Sequence, residues 1–103
     1  MIRHCVMLDV PSAAIKDLEV ALRDLETLTR TLPGISGFVA GPNRDFEGKT
    51  PGYSYGFTLD AKDAAALQSY ADDPAHQAIG RRLVALCSKG VDGILVYDLE
   101  AAI

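Results

Sequence analysis

The sequence predicts an α+β fold of the ferredoxin-like β-α-β-β-α-β type: a four-stranded antiparallel sheet with its helices on one face. Three observations carry this expectation. Apolar residues alternate with period two in separate short stretches, as strands require. Between them, apolar residues recur at three- and four-residue steps, as amphipathic helices require. Proline, glycine and aspartate fall at the joints between the two patterns.

Residues 2–10 alternate, with Ile2, His4, Val6, Leu8 and Val10 on one side and Arg3, Cys5, Met7 and Asp9 on the other. Pro11-Ser12 ends this strand, and Ser12 is placed to cap a helix. Over residues 13–32 the stripe Ile15, Leu18, Leu22, Leu25, Leu28 or Thr29, and Leu32 predicts a long amphipathic helix, stopped by Pro33-Gly34. Residues 35–41 read as a second short strand, and residues 42–52 as a loop long enough to be functional or mobile. Residues 53–60 alternate again, with Tyr53, Tyr55, Phe57 and Leu59 on one face. A short helix is expected over 62–71, broken by Asp72-Asp73-Pro74. Asp73 makes a good N-cap and Pro74 a good first helical residue for the next helix, which runs to about Ser88. Residues 91–100 form the last strand, with Ile94, Val96 and Asp98 opposite Gly93, Leu95, Tyr97 and Leu99.

The 103 residues suit one domain, expected to span residues 1–103. A chain of this size, 49% hydrophobic, buries enough surface to fold without disulfide or metal. Its net charge of −4 is a poor match to a phosphate backbone, so nucleic-acid binding is not expected. The Arg81-Arg82 pair reads as a solvated helix face. No apolar run approaches about 18 residues, so no membrane span is expected. Cys5 and Cys87 stand far apart, without CxxC or metal-ligand spacing, and the first residues read straight into a strand. A cytoplasmic protein with reduced, buried thiols and no bound metal is therefore expected.

The sheet carries apolar side chains on both faces. The first strand offers Ile2, Val6 and Leu8 on one side and Cys5 and Met7 on the other, and the last strand offers Leu95 and Leu99 against Ile94 and Val96. One layer of helices covers only one face, and a monomer seldom leaves the other exposed. A two-fold homodimer packed through the sheet face is the economical solution. Cover by the long loop or the tail is the alternative.

The chain has two histidines. His76 sits one turn into its helix, with Ile79 three and Leu83 seven residues on, so it shares the stripe that faces the sheet. Tyr70 lies on the inner side of the preceding helix. His4 shares a strand face with Val6 and Leu8, and the sequence leaves open whether that face looks toward the helices. If it does, His4, Tyr70 and His76 converge in an apolar cavity inside the protomer. An imidazole in a partly dry pocket exchanges a proton near neutral pH, and a phenol there donates to a carbonyl oxygen gaining charge. Tyr55, mid-strand, is a second-rank pocket residue whose buried hydroxyl needs a partner. Each of these residues also fits plain core packing. No GxGxxG or P-loop pattern follows a strand, and no Ser-His-Asp set is signalled.

These residues resemble the stress-responsive A/B barrel (Dabb, dimeric α+β barrel) family. The resemblance is carried by the N-terminal strand with His4, by Leu32-Pro33-Gly34-Ile35, by Gly52-Tyr53-Ser54-Tyr55-Gly56-Phe57, by Tyr70-Ala71-Asp72-Asp73-Pro74-Ala75-His76-Gln77, and by the strand Val91 to Leu99. It implies a ferredoxin-like protomer, a two-fold dimer whose sheets form a barrel, and no cofactor or metal. Plant members that look like this chain include a polyketide cyclase in which residues matching His76 and Tyr70 act as acid/base catalyst and hydrogen-bond partner, with the match to His4 near the same pocket. The family usually carries histidine where this chain has Asp73 and Tyr55. Asp73 still caps a helix; Tyr55 changes the pocket wall.

The expected function is therefore a homodimer that binds a small hydrophobic or aromatic-carbonyl metabolite between helices and sheet. One alternative is a cofactor-free, polyketide cyclase-like lyase working through His76 and Tyr70. A barrel-type monooxygenase is a further alternative.

Overall fold

The computed structural model describes residues 1–101; the last two residues of the expected domain lie outside the described residues. The elements run β1 (Ile2–Leu8), a 3-10 turn (Ser12–Ala14), α1 (Ile15–Thr29), β2 (Ile35–Pro42), β3 (Tyr55–Ala61), α2 (Ala64–Asp72), α3 (Pro74–Leu86), a second 3-10 turn (Gly90–Gly93) and β4 (Ile94–Glu100). The sheet is antiparallel throughout, in the order β2-β3-β1-β4. This is the α+β, ferredoxin-like arrangement the sequence predicts.

Register decides which side chains meet. β1 is central: His4 lies opposite Leu59 on β3 and opposite Asp98 on β4, and Val6 lies opposite Phe57 and Val96. The face carrying His4, Val6 and Leu8 looks toward the helices. There Leu8, Leu59, Leu18 and Ala61 are fully buried, with Val6, Phe57, Leu25 and Leu83 around them. Burying such side chains contributes about 1.5–3 kcal/mol each, so this layer anchors the fold. Phe38 stacks on Phe57 at 5.5 Å between ring centroids and extends the core under β2.

Among the described residues no helix lies over the opposite face. Leu95, Tyr97 and Leu99 on β4 are 40–55% exposed and Val39 on β2 is 65% exposed. Tyr97 and Leu95 lie opposite Cys5 and Met7 of β1.

Several boundaries differ from the sequence expectation, each for a local reason. Ser12 does not cap α1: it belongs to the 3-10 turn, and the helix begins after Ala14 with no side-chain cap. β3 begins at Tyr55 rather than Tyr53, because residues 43–54 knit themselves together. Asn43 Nδ2 donates to Thr50 Oγ1 and to the Tyr53 carbonyl, and Ser54 Oγ donates to the Val10 carbonyl. Gly37, at φ 66°, marks a register shift in β2 where a side chain would run into Asp60. Residues 91–93 are a turn, not strand, because Gly93 Cα lies against the Asp9 carboxylate.

Candidate functional site

The turn that carries His76 is built by Asp73. Its carboxylate accepts from the backbone N–H of Ala75 at 2.9 Å and of His76 at 3.0 Å, and Pro74 occupies the first helical position. The break between α2 and α3 folds the start of α3 back against the end of α2. The Tyr70 and His76 rings therefore lie 4.0 Å apart, tilted by 37°. From the sheet side His4 meets the same phenol edge-on, with ring centroids 5.7 Å apart. His4 thus faces the helices, and His4, Tyr70 and His76 come together.

They border a hollow of about 350 Å³ lined also by Ala64, Leu67, Gln68, Ala71 and Asp98. The sequence predicts an enclosed cavity; the hollow instead opens to solvent past the exposed Ala64, Gln68 and Ala71. β4 is an edge strand, and its helix-side Val96 is 49% exposed, so this end of the layer has no roof.

Each imidazole has one nitrogen engaged. His76 Nδ1 lies 3.3 Å from the Ala71 carbonyl, which only accepts, so Nδ1 carries the hydrogen. His4 Nδ1 lies 2.6 Å from Asp98 Oδ1. Both Nε2 atoms make no hydrogen bond among the described residues, and neither is sealed from solvent. Burial lowers the His76 pKa below its usual 6.5, opposed by the Ala71 hydrogen bond and helped by the nearby His4. His76 is therefore neutral at pH 7, with a free lone pair on Nε2.

Tyr70 is 2% exposed, and its hydroxyl oxygen is sealed and has no hydrogen-bond partner among the described residues. Burial alone pushes its pKa far above the ordinary phenol value, so it stays a neutral donor.

Tyr55 is not part of this hollow. It faces the helices too, but it pairs with Leu8, four residues along β3 from Leu59 and so about 13 Å away at ~3.3 Å per residue. It lines a separate recess of about 180 Å³ beside Glu19, Leu22 and Phe38, where its hydroxyl donates weakly to Glu19 Oε2 at 3.4 Å.

Asp98 is the site residue that sequence reading missed. The signal was present, since Asp98 has the same strand parity as Ile94 and Val96. Only the β1–β4 register, absent from a single sequence, sets it opposite His4. Among the described residues no group of three or more His, Cys, Asp or Glu side chains is placed to hold a metal ion. Among the described residues no helix is long and apolar enough to cross a membrane.

An antiparallel sheet with one helical layer, an apolar second face and a histidine-rich hollow at one end defines a ferredoxin-like α+β protein with a candidate small-molecule site. The stress responsive A/B barrel domain family matches residues 2–101, and the chain belongs to that family. Among solved structures, a dimeric ferredoxin-like protein of unknown function from Jannaschia sp. CCS1 is 46% identical over 97% of this chain and 98% of its own, with a TM-score of 0.91. A Dabb family protein with a ferredoxin-like fold from Mesorhizobium loti is 26% identical over 97% of this chain and 95% of its own, with a TM-score of 0.75. A hydroxynitrile lyase from Passiflora edulis is 16% identical over 95% of this chain and 90% of its own, with a TM-score of 0.78; at that identity the likeness is one of fold. No curated protein matches the chain.

Proposed function

We propose that the protein is a cytoplasmic homodimer that binds a small hydrophobic or aromatic-carbonyl metabolite in the hollow between β1, β4, α2 and α3. The observation that carries this reading is the meeting of His4, Tyr70 and His76 around one hollow of about 350 Å³, with an unengaged Nε2 on each imidazole. Largely apolar walls with a few convergent polar groups are the usual make-up of a small-ligand site. The orphaned Tyr70 hydroxyl adds to it. A donor left unpaired in the core costs stability, and a carbonyl oxygen reaching it would remove that cost. The dimer is supported by the uncovered apolar face and by the relative from Jannaschia, which is described as dimeric. The compartment is supported by two free, buried cysteines.

The test is thermal unfolding with 4-methoxyacetophenone as probe. Binding to the native state raises Tm in proportion to RT ln(1 + [L]/Kd). The wild-type protein is stabilised, and Ala71→Trp, which fills the mouth from an exposed position, abolishes the effect. Equal stabilisation of that variant would place the probe elsewhere and refute the reading.

The acid/base properties of His76 favour a second reading, a cofactor-free lyase or cyclase. A neutral imidazole with a free Nε2 is a competent general base at pH 7. His76 Nε2 would take the proton from a carbon next to the guest's carbonyl. The bonding pair would move onto the carbonyl oxygen as an enolate steadied by the Tyr70 hydroxyl, and the proton would return in the closing step. His76→Ala then abolishes turnover of a β-dicarbonyl aromatic substrate while the protein stays folded; undiminished turnover removes His76 from the role.

A further inference from the structure

His4 and Asp98 are direct cross-strand partners on the helix-facing side of the β1–β4 pair. Asp98 Oδ1 lies 2.6 Å from His4 Nδ1, a short charge-assisted contact. The two side chains differ in burial: the imidazole is 13% exposed and the carboxylate 43%. Asp98 therefore stands at the solvent side of the histidine and reaches in. A carboxylate accepts and does not donate, so the hydrogen sits on His4 Nδ1. In the neutral ring that leaves Nε2 as a bare lone pair, and Nε2 has neither a hydrogen-bond partner nor a seal from solvent. His4 itself borders the hollow. His76 is held in the same way by the Ala71 carbonyl, so the hollow carries two imidazole acceptors beside the single phenol of Tyr70. A guest that fits such a wall brings its own hydrogen-bond donor.

We propose that Asp98 is a positioning residue that holds His4 in the Nδ1–H tautomer, so that His4 Nε2 accepts a hydrogen bond from a hydroxyl on the guest. The hollow then selects hydroxyl-bearing aromatic carbonyl compounds over their O-methylated counterparts. This rests on the reading of the hollow as the ligand site, but the role of Asp98 is testable without any ligand. Asp98 is on an exposed edge strand, so its replacement leaves the core untouched.

Two measurements decide it. Long-range proton–nitrogen NMR at pH 9 reports the tautomer of His4. The wild-type protein and Asp98→Asn, which keeps an acceptor oxygen, show Nδ1–H; Asp98→Ala moves toward Nε2–H. Nε2–H in the wild type, an unaltered tautomer in Asp98→Ala, or an Asp98→Asn spectrum like that of Asp98→Ala overturns the proposal. At pH 7, calorimetric titration compares 4-hydroxyacetophenone with 4-methoxyacetophenone. The wild type prefers the hydroxyl compound about five-fold (~1 kcal/mol, one net hydrogen bond). Asp98→Ala brings the ratio to about one; a ratio still near five in that variant overturns the link between Asp98 and His4 Nε2. An equal ratio in the wild type overturns the selectivity. Binding of neither compound refutes the ligand site itself, while the tautomer measurement still decides what Asp98 does.

Discussion

Tyr70→Phe removes one oxygen and leaves the ring contacts with His4 and His76 in place. In the structure that oxygen is buried without a partner. An unsatisfied buried hydroxyl costs about 1–3 kcal/mol. The space left by the oxygen, roughly 15–20 Å³, costs only ~0.4 kcal/mol at about 24 cal/mol per Å³. The substitution should therefore stabilise the ligand-free protein by about 1 kcal/mol, which for a domain of this size raises Tm by about 4–8 °C. Calorimetry at fixed protein concentration, with urea unfolding alongside, measures it. The same variant should bind an aromatic ketone more weakly, the usual trade between stability and function at a site that keeps a group unpaired. A Tyr70→Phe protein less stable than wild type by 1 kcal/mol or more would mean that the hydroxyl has a partner in solution, and the reasoning from an orphaned donor would be wrong.

Other outcomes follow from the same geometry. Gly93→Ala places a methyl inside contact distance of the Asp9 carboxylate, so it should destabilise by about 2 kcal/mol or more in urea unfolding. Burial lowers the His76 pKa in the folded state, so the unfolded chain takes up the proton first as pH falls. The contribution of His76 to stability is thus fully present above about pH 6.5 and declines as pH drops toward the lower folded value; His76→Gln should flatten that part of the stability–pH curve. Leu99→Asp, on the uncovered sheet face, should shift sedimentation from dimer to monomer while the circular dichroism spectrum is kept.

The strand and helix order was legible because each element reports its own period. His4-Val6-Leu8 alternates, and Leu18-Leu22-Leu25 follows a helical stripe. Asp73 as the cap of α3 was legible for the same reason, since capping is a local event. The parity of β1 placed His4 with Val6 and Leu8, and the structure adds that this side faces the helices. Long-range facts were not legible. The register that sets Asp98 against His4, and the distance that puts Tyr55 beside Glu19 instead of His76, depend on how strands pair and where helices lie across them. Nor could a single sequence show that Gly93 packs against Asp9 and that β4 starts three residues late, at Ile94. The openness of the hollow has the same origin: it follows from β4 being an edge, a property of the whole sheet.

The most direct measurement is an NMR titration of the ring resonances of His4, His76 and Tyr55 with 4-hydroxyacetophenone. A guest in the hollow shifts both histidines saturably, with one dissociation constant, and leaves Tyr55 in its separate recess unmoved. Static histidine resonances, or a shift confined to Tyr55, would contradict the assignment of this hollow as the binding site.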